Sequence, residues 1–237
     1  MWGRMRHRSG RVIGGLLAVV LLAGCNMRSD QEKQKELLAA WQDGLVACRL
    51  PFVPPDRPRL AFAAALSVGL VAERELVDVL LSERRPIDDV RRAIVGALPE
   101  GHELIDLHDV WLGEPPLPGQ TAAADYRIEL EGTPDAARLA DAASRLIASP
   151  SLVRPKPKGG GDYDLRPLLD AITIDGAVGD AGGGAEAPVV LRVRTRFDPE
   201  RGAGRPDEVV AALAELARAD LSIASIVRER VLLASEL

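Results

Sequence analysis

The chain has 237 residues, enough to bury one large core or two small ones, and its 47% hydrophobic and 27% charged content is that of a folded protein and not of a disordered one. Aromatic residues make up only 3%, so the core must be built from Ala, Leu, Val and Ile, and stacking platforms for single-stranded nucleic acid are scarce. The net charge is −5, and because residues 1–24 hold four arginines and no acid, the remainder carries −9, which excludes nucleic-acid binding by bulk attraction.

Residues 1–11 are basic, with Arg4, Arg6, Arg8 and Arg11, and residues 12–23 form an apolar run that ends in Leu22-Ala23-Gly24-Cys25. That order matches a bacterial lipoprotein signal, in which small residues admit the peptidase and the Cys25 thiol receives the lipid. The reading makes the protein a membrane-attached lipoprotein whose amino-terminal segment is its sole membrane contact. The run is shorter than the about 20 residues of a spanning helix. An uncleaved apolar helix, or a displaced gene start lying over a genuine first strand, are the competing readings.

Next in order, residues 31–49 carry Leu37, Leu38, Trp41, Leu45 and Cys48 at helical spacing, and Pro51, Pro54, Pro55 and Pro58 end that helix. Residues 60–71 and 76–82 predict two strands. Pro86 opens a helix that buries Val90, Ile94 and Leu98 and stops at Pro99-Glu100-Gly101. Residues 103–112 predict a further strand, and residues 113–119, with three prolines, a linker. The order then repeats: a strand at 126–130, a helix at 134–148, a basic extended segment at 151–158 and a turn from Arg166. Strands at 171–174 and 189–197, a helix at 206–218 and a last strand at 223–233 complete the chain. Each half approximates strand, helix, strand, strand, helix, strand, which predicts an α+β fold of two ferredoxin-like, split βαβ halves with antiparallel sheets. The boundaries fall at 1–25, 26–118 and 119–237, and the first half lacks or alters its opening strand unless residues 11–22 supply it.

The charge is uneven along the chain. Residues 60–149 hold 8 basic against 16 acidic side chains and residues 150–206 hold 9 against 8, so an anion contact belongs in the second half. There Arg192, Arg194 and Arg196 alternate with apolar residues, which puts three guanidinium groups on one strand face. Such a stripe grips phosphate or carboxylate, or serves as the charged side of an exposed sheet. Arg154, Lys156 and Lys158 add a basic edge before Gly159-Gly160-Gly161. Asp164 and Arg166, two apart after Tyr163, either pair to anchor a loop or hold a polar ligand. Asp207 and Glu208, following Arg205-Pro206, fall in a first helical turn, where carboxylates cap amides.

Cys25 and Cys48 are too few for an iron-sulfur cluster or a zinc centre built by this chain alone, and His7, His102 and His108 do not cluster by spacing. No nucleophile elbow or Cys-His pattern is present, so the expectation is a protein that is not an enzyme on its own and binds no cofactor or metal.

Leu98-Pro99-Glu100-Gly101, the stretch 106–120 with Val110-Trp111-Leu112-Gly113, Asp125-Tyr126-Arg127, residues 163–169, residues 205–210 and Ile226-Val227-Arg228 together resemble the radical SAM-linked protein family, a bacterial domain of unknown function. The resemblance implies a cytoplasmic, non-catalytic accessory or substrate-handling domain that works with a radical SAM enzyme, in RNA modification. The partner would carry S-adenosylmethionine and an iron-sulfur cluster, and RNA or another anionic substrate would meet Arg166, Arg192, Arg194, Arg196 and Arg205. Two motifs of the family are changed: the opening basic-aromatic strand is an apolar run here, and its Gly-Phe-Asn-Pro turn is reduced to a proline-rich segment at 51–58. The alternative is an envelope lipoprotein that uses the same fold as a structural or interaction module.

Overall fold

Alternating apolar residues supply the strands, apolar residues three and four apart supply the helices, and together they fold into two βαββαβ units. The structure, a computed structural model, describes residues 15–21, 31–67, 70–110, 113–156, 160–175 and 188–237. His7, Cys25, Trp111, Leu112, Lys158, Gly159 and the glycine-rich stretch 176–187 lie outside the described residues.

In chain order the elements are β1 (Gly15–Leu21), α1 (Gln31–Ala47), β2 (Leu60–Phe62), β3 (Val71–Ala72), β4 (Glu75–Leu81), α2 (Ile87–Ala97), β5 (Leu104–Val110) and α3 (Leu117–Gln120). They continue as β6 (Thr121–Leu130), α4 (Ala136–Ala148), β7 (Val153–Pro155), β8 (Asp162–Asp164), β9 (Leu169–Asp175), β10 (Val190–Asp198), β11 (Gly202–Ala203), α5 (Pro206–Ala217) and β12 (Ile223–Leu233). The first sheet runs β2-β4-β1-β5, and the second runs β9-β10-β6-β12 with β3 added at its edge. In both, the first strand of the unit lies between its third and fourth and all of these pairings are antiparallel, the arrangement of a split βαβ fold. The fold is therefore α+β with two ferredoxin-like halves.

The opening strand of the first half is β1, paired with β4 from Gly15↔Leu81 to Leu21↔Glu75 and with β5 on its other edge. A continuous apolar run suits a strand with neighbours on both sides. The first sheet thus includes residues 15–21, which lie inside the run that reads as a signal. A correction concerns residues 60–71. The chain pairs with β4 only over β2, leaves the sheet at Ala63, and returns as β3 in parallel with β12 of the other half. Over the break the backbone carbonyls meet side chains in place of a strand: Ala63 O accepts from Thr121 Oγ1 at 2.9 Å, and Ala65 O and Ala64 O accept from Arg228 at 3.0 and 3.1 Å. The linker expected at 113–119 closes into the short α3, whose Leu117 amide donates to the Asp78 carboxylate at 3.0 Å.

In the first half Trp41, Leu45, Val90 and Ile94 from α1 and α2 pack on Val77, Val79 and Leu107. Gly44 lets these helices approach, since a Cβ there would lie 2.6 Å from the Ala97 carbonyl oxygen. In the second half Leu139, Leu146, Val209 and Leu213 from α4 and α5 pack on Tyr126, Ile128, Leu191 and Val193. Each large apolar side chain buried this way contributes about 1.5–3 kcal/mol. Between the halves, Ala63, Ala64, Leu117 and Val231 form a third, smaller core. Beside it Arg228 of β12, 1% exposed, reaches Glu75 of β4.

Candidate functional site

Because the core of the second half lies on the α4 and α5 side of its sheet, the side chains that alternate with the core residues emerge on the opposite face. On β10 these are Arg192, Arg194 and Arg196, as the spacing predicts, while Leu191, Val193 and Thr195 are buried. On β6 they are Asp125, Arg127 and Glu129, set opposite by the register Arg194↔Asp125 and Arg192↔Arg127. On β12 the register shifts between Arg228 and Arg230, a bulge at Glu229 that turns two consecutive charged side chains onto the same face. The result is a groove of about 630 Å³ whose lining includes Glu73, Arg74, Asp125, Arg192, Arg194, Glu229 and Arg230.

Every arginine of the β10 stripe meets a carboxylate of the protein. Arg192 donates to Asp175 at 2.8 Å and to Glu229 at 2.9 Å. Arg194 grips Asp125 in bidentate fashion at 2.6 and 3.0 Å, and Arg230 donates to the same carboxylate at 2.8 Å. Arg196 pairs with Asp170. Arg127 gathers Glu73, Glu129 and Glu229 at 2.6, 2.8 and 3.2 Å. Burial works to raise the Asp125 pKa, but the hydrogen bonds from Arg194 and Arg230 outweigh it and hold the carboxyl below its ordinary value. These pairs are half exposed, and pairs of that kind stabilise by only about 0–1 kcal/mol, so an incoming charged group can compete for them.

Arg166 and Arg205 do not join the stripe through any hydrogen bond or ion pair. The Arg166 guanidinium donates to the carbonyls of Ile147 at 3.0 Å and Leu169 at 2.7 Å. The expected side-chain pairing of Asp164 with Arg166 is corrected: the Asp164 carboxylate accepts from the amides of Leu152 at 2.7 Å and Arg166 at 3.0 Å. Both residues anchor the loop through backbone, because the tight turn into the Arg166–Leu168 helical turn presents amides and carbonyls and not the other side chain. Asp207 and Glu208 stand in the first turn of α5, as the sequence predicts, and their carboxylates also meet arginines: Asp207 is taken by Arg205, and Glu208 by Arg154, which also reaches Glu215 at 2.8 Å. Arg154 is thus a buried ion-pair partner, not part of a basic edge. Between these pairs the Tyr163 hydroxyl is buried, with no hydrogen-bond partner among the described residues. Burial, with Glu208 next in size, raises its pKa.

The residues missed in the sequence are Glu73, Asp125, Arg127, Glu229 and Arg230. Asp125, Arg127 and Glu129 alternate as the β10 arginines do, so that part of the face was legible. The bulge at Glu229 left no mark in the pattern. Among the described residues no group of three or more His, Cys, Asp and Glu side chains is placed to hold a metal ion.

None of the curated proteins matches this chain. Among solved structures, a protein provisionally described as a glycine cleavage system transcriptional repressor aligns over 92% of this chain and 100% of its own, with 10% sequence identity and a TM-score of 0.25. The fold assignment accordingly stands on the strand order alone. A family profile matches residues 54–196, more than half of the chain, and so spans the first half from β2 onward, with the buried pair partner Glu75, and all of β6 and the arginine stripe. The chain belongs to that family, the uncharacterized proteins conserved in bacteria designated DUF2344.

Proposed function

We propose that this protein is a non-catalytic accessory domain that holds the anionic part of a substrate for a partner enzyme, on the open face of the second sheet. The observation that carries the reading is the convergence of Arg74, Arg192, Arg194 and Arg230 on one groove in a chain whose net charge is −5. Guanidinium groups fixed on strands at set spacing present forked donors to phosphate or carboxylate at low entropic cost. A radical SAM enzyme is the partner that the resemblance of residues 98–101, 163–169 and 205–210 implies, and it would bring the S-adenosylmethionine and the cluster. RNA, the substrate the same resemblance implies, offers phosphates of the right chemistry.

The test is binding of inorganic phosphate and of a short single-stranded RNA to the wild-type chain and to Arg194→Glu, together with co-purification of the native chain with the radical SAM enzymes of its cell. Binding that Arg194→Glu abolishes supports the reading. No binding of either anion and no enzyme recovered would sink it.

A further inference from the structure

The charges of the groove are not evenly mixed. At one end Arg194 and Arg230 share a single carboxylate, Asp125. At the other, Arg127 and Arg192 face four carboxylates: Glu73, Glu129, Glu229 and Asp175. The first end therefore carries a surplus of positive charge and the second, even with Arg74 counted to it, a surplus of negative charge. The two ends are two residues apart along both β6 and β10, which at the rise of a strand is roughly 7 Å.

The hydrogen-bonding capacity left over divides the same way. Arg230 uses only its Nε toward Asp125, and Arg194 its Nε and Nη2, so Nη donors of both remain without a protein acceptor among the described residues. Toward Arg127, Glu73 and Glu129 each use one carboxylate oxygen and keep the other. The bulge at Glu229 is what builds both poles from one strand, since it sends Glu229 to the acidic end and Arg230 to the basic one.

We infer that the groove takes a zwitterion, with the oxyanion of the ligand on Arg194 and Arg230 and its cationic group at Glu73 and Glu229, the two carboxylates of the acidic end that line the groove. The basic pole is the anion contact of the proposed function and rests on that reading; the acidic pole is the addition. Of the anions that the proposed function allows, a long polyanion such as RNA suits this layout least, because its charge would run from the basic pole into the acidic one. A ligand of one negative and one positive group meets a complementary charge at each end.

The experiment is an NMR titration of the whole chain, following backbone amides and arginine Nε–H signals, with four probes at equal concentration: diglycine, N-acetyl-diglycine, diglycine amide and inorganic phosphate. Diglycine is expected to bind roughly tenfold more tightly than either singly charged peptide and to move the signals of Arg194, Arg230 and Glu229 together. In the double variant Glu73→Gln, Glu229→Gln the preference for diglycine over N-acetyl-diglycine should vanish while phosphate binding persists. If N-acetyl-diglycine or phosphate binds as tightly as diglycine at Arg194 and Arg230, the zwitterion is wrong and the anion face stands. Equal binding by diglycine amide overturns the inference from the other side. If no probe moves any signal on this face, both the inference and the anion contact fall.

Discussion

Arg228 of β12 donates from Nε and Nη2 to the two carboxylate oxygens of Glu75 on β4, at 2.8 and 2.6 Å, and from Nη1 and Nη2 to the carbonyls of Ala65 and Ala64. Four of the five N–H groups of a guanidinium that is 1% exposed are thus matched, in a place where an unmatched one would be very costly. Burial nevertheless pushes the Glu75 carboxyl above its ordinary value, against the pull of Arg228. The pair is the main polar bond between the halves.

Glu75→Gln should lower stability by about 3–5 kcal/mol, because it leaves a buried guanidinium without its counter-charge. The double change Glu75→Leu, Arg228→Met should recover most of that loss but not all, since the carbonyls of Ala64 and Ala65 lose their donor. Urea unfolding of the wild type and the two variants decides it: a double change no better than the single one would show that the pair does not act as a unit.

Asp125 sets part of the acid response. Its folded pKa lies below that of an ordinary aspartate, so the stability it contributes is complete above the unfolded value of about 3.9 and is lost as pH falls through the folded value. Asp125→Asn should therefore be less stable than wild type at neutral pH and show a flatter loss of stability on acidification below about pH 4. Denaturant midpoints measured across the acid range test this, and parallel curves for wild type and Asp125→Asn would contradict the assignment.

Gly204 is fixed by space. A Cβ there would lie 2.4 Å from the Leu168 carbonyl oxygen and 2.7 Å from the Thr195 Cβ, so the loop ahead of α5 has to shift to admit it. Gly204→Ala should cost about 1–3 kcal/mol. In a chain of this size that is a fall in Tm of roughly 2–4 °C for each kcal/mol. An unchanged Tm would mean that the turn yields freely.

Removal of residues 1–24 tests the place of the apolar run. It deletes β1, which pairs with both β4 and β5, so hydrogen-exchange protection should collapse in those strands and persist in β6 and β10. Protection retained in β4 and β5 would show that the first sheet closes without Gly15–Leu21.

Much of the fold is visible in the sequence because it depends on local patterns. Pro86 and Pro206 mark helix starts, Val90 and Ile94 mark a buried stripe, and the alternation of Leu191, Val193 and Thr195 with arginines marks a half-buried strand. The stripe of guanidinium groups was legible for the same reason. What they bind was not, because carboxylates such as Asp125 and Glu229 are matched to them across strands, at separations of 69 and 37 residues, and register does not appear in a local pattern. Asp164 and Arg166 misled because nearness in sequence suggests a side-chain pair, while a turn offers each of them a closer backbone partner. The apolar run at 12–23 admits two readings in the sequence, a secretion signal and an inner strand, because composition alone does not separate them.

The parallel pairing of β3 with β12 has a consequence for how such chains can be recombined. Although the sequence reads as two successive repeats, two residues of the first one, Val71 and Ala72, complete the sheet of the second. Just beyond them Glu73 and Glu75 supply partners to Arg127 and Arg228. A chimera that takes its first repeat from one family member and its second from another must therefore inherit residues 64–75 and 226–231 as a matched set. Along this seam the two repeats form a single heritable unit, and substitutions on one side are constrained by what stands on the other.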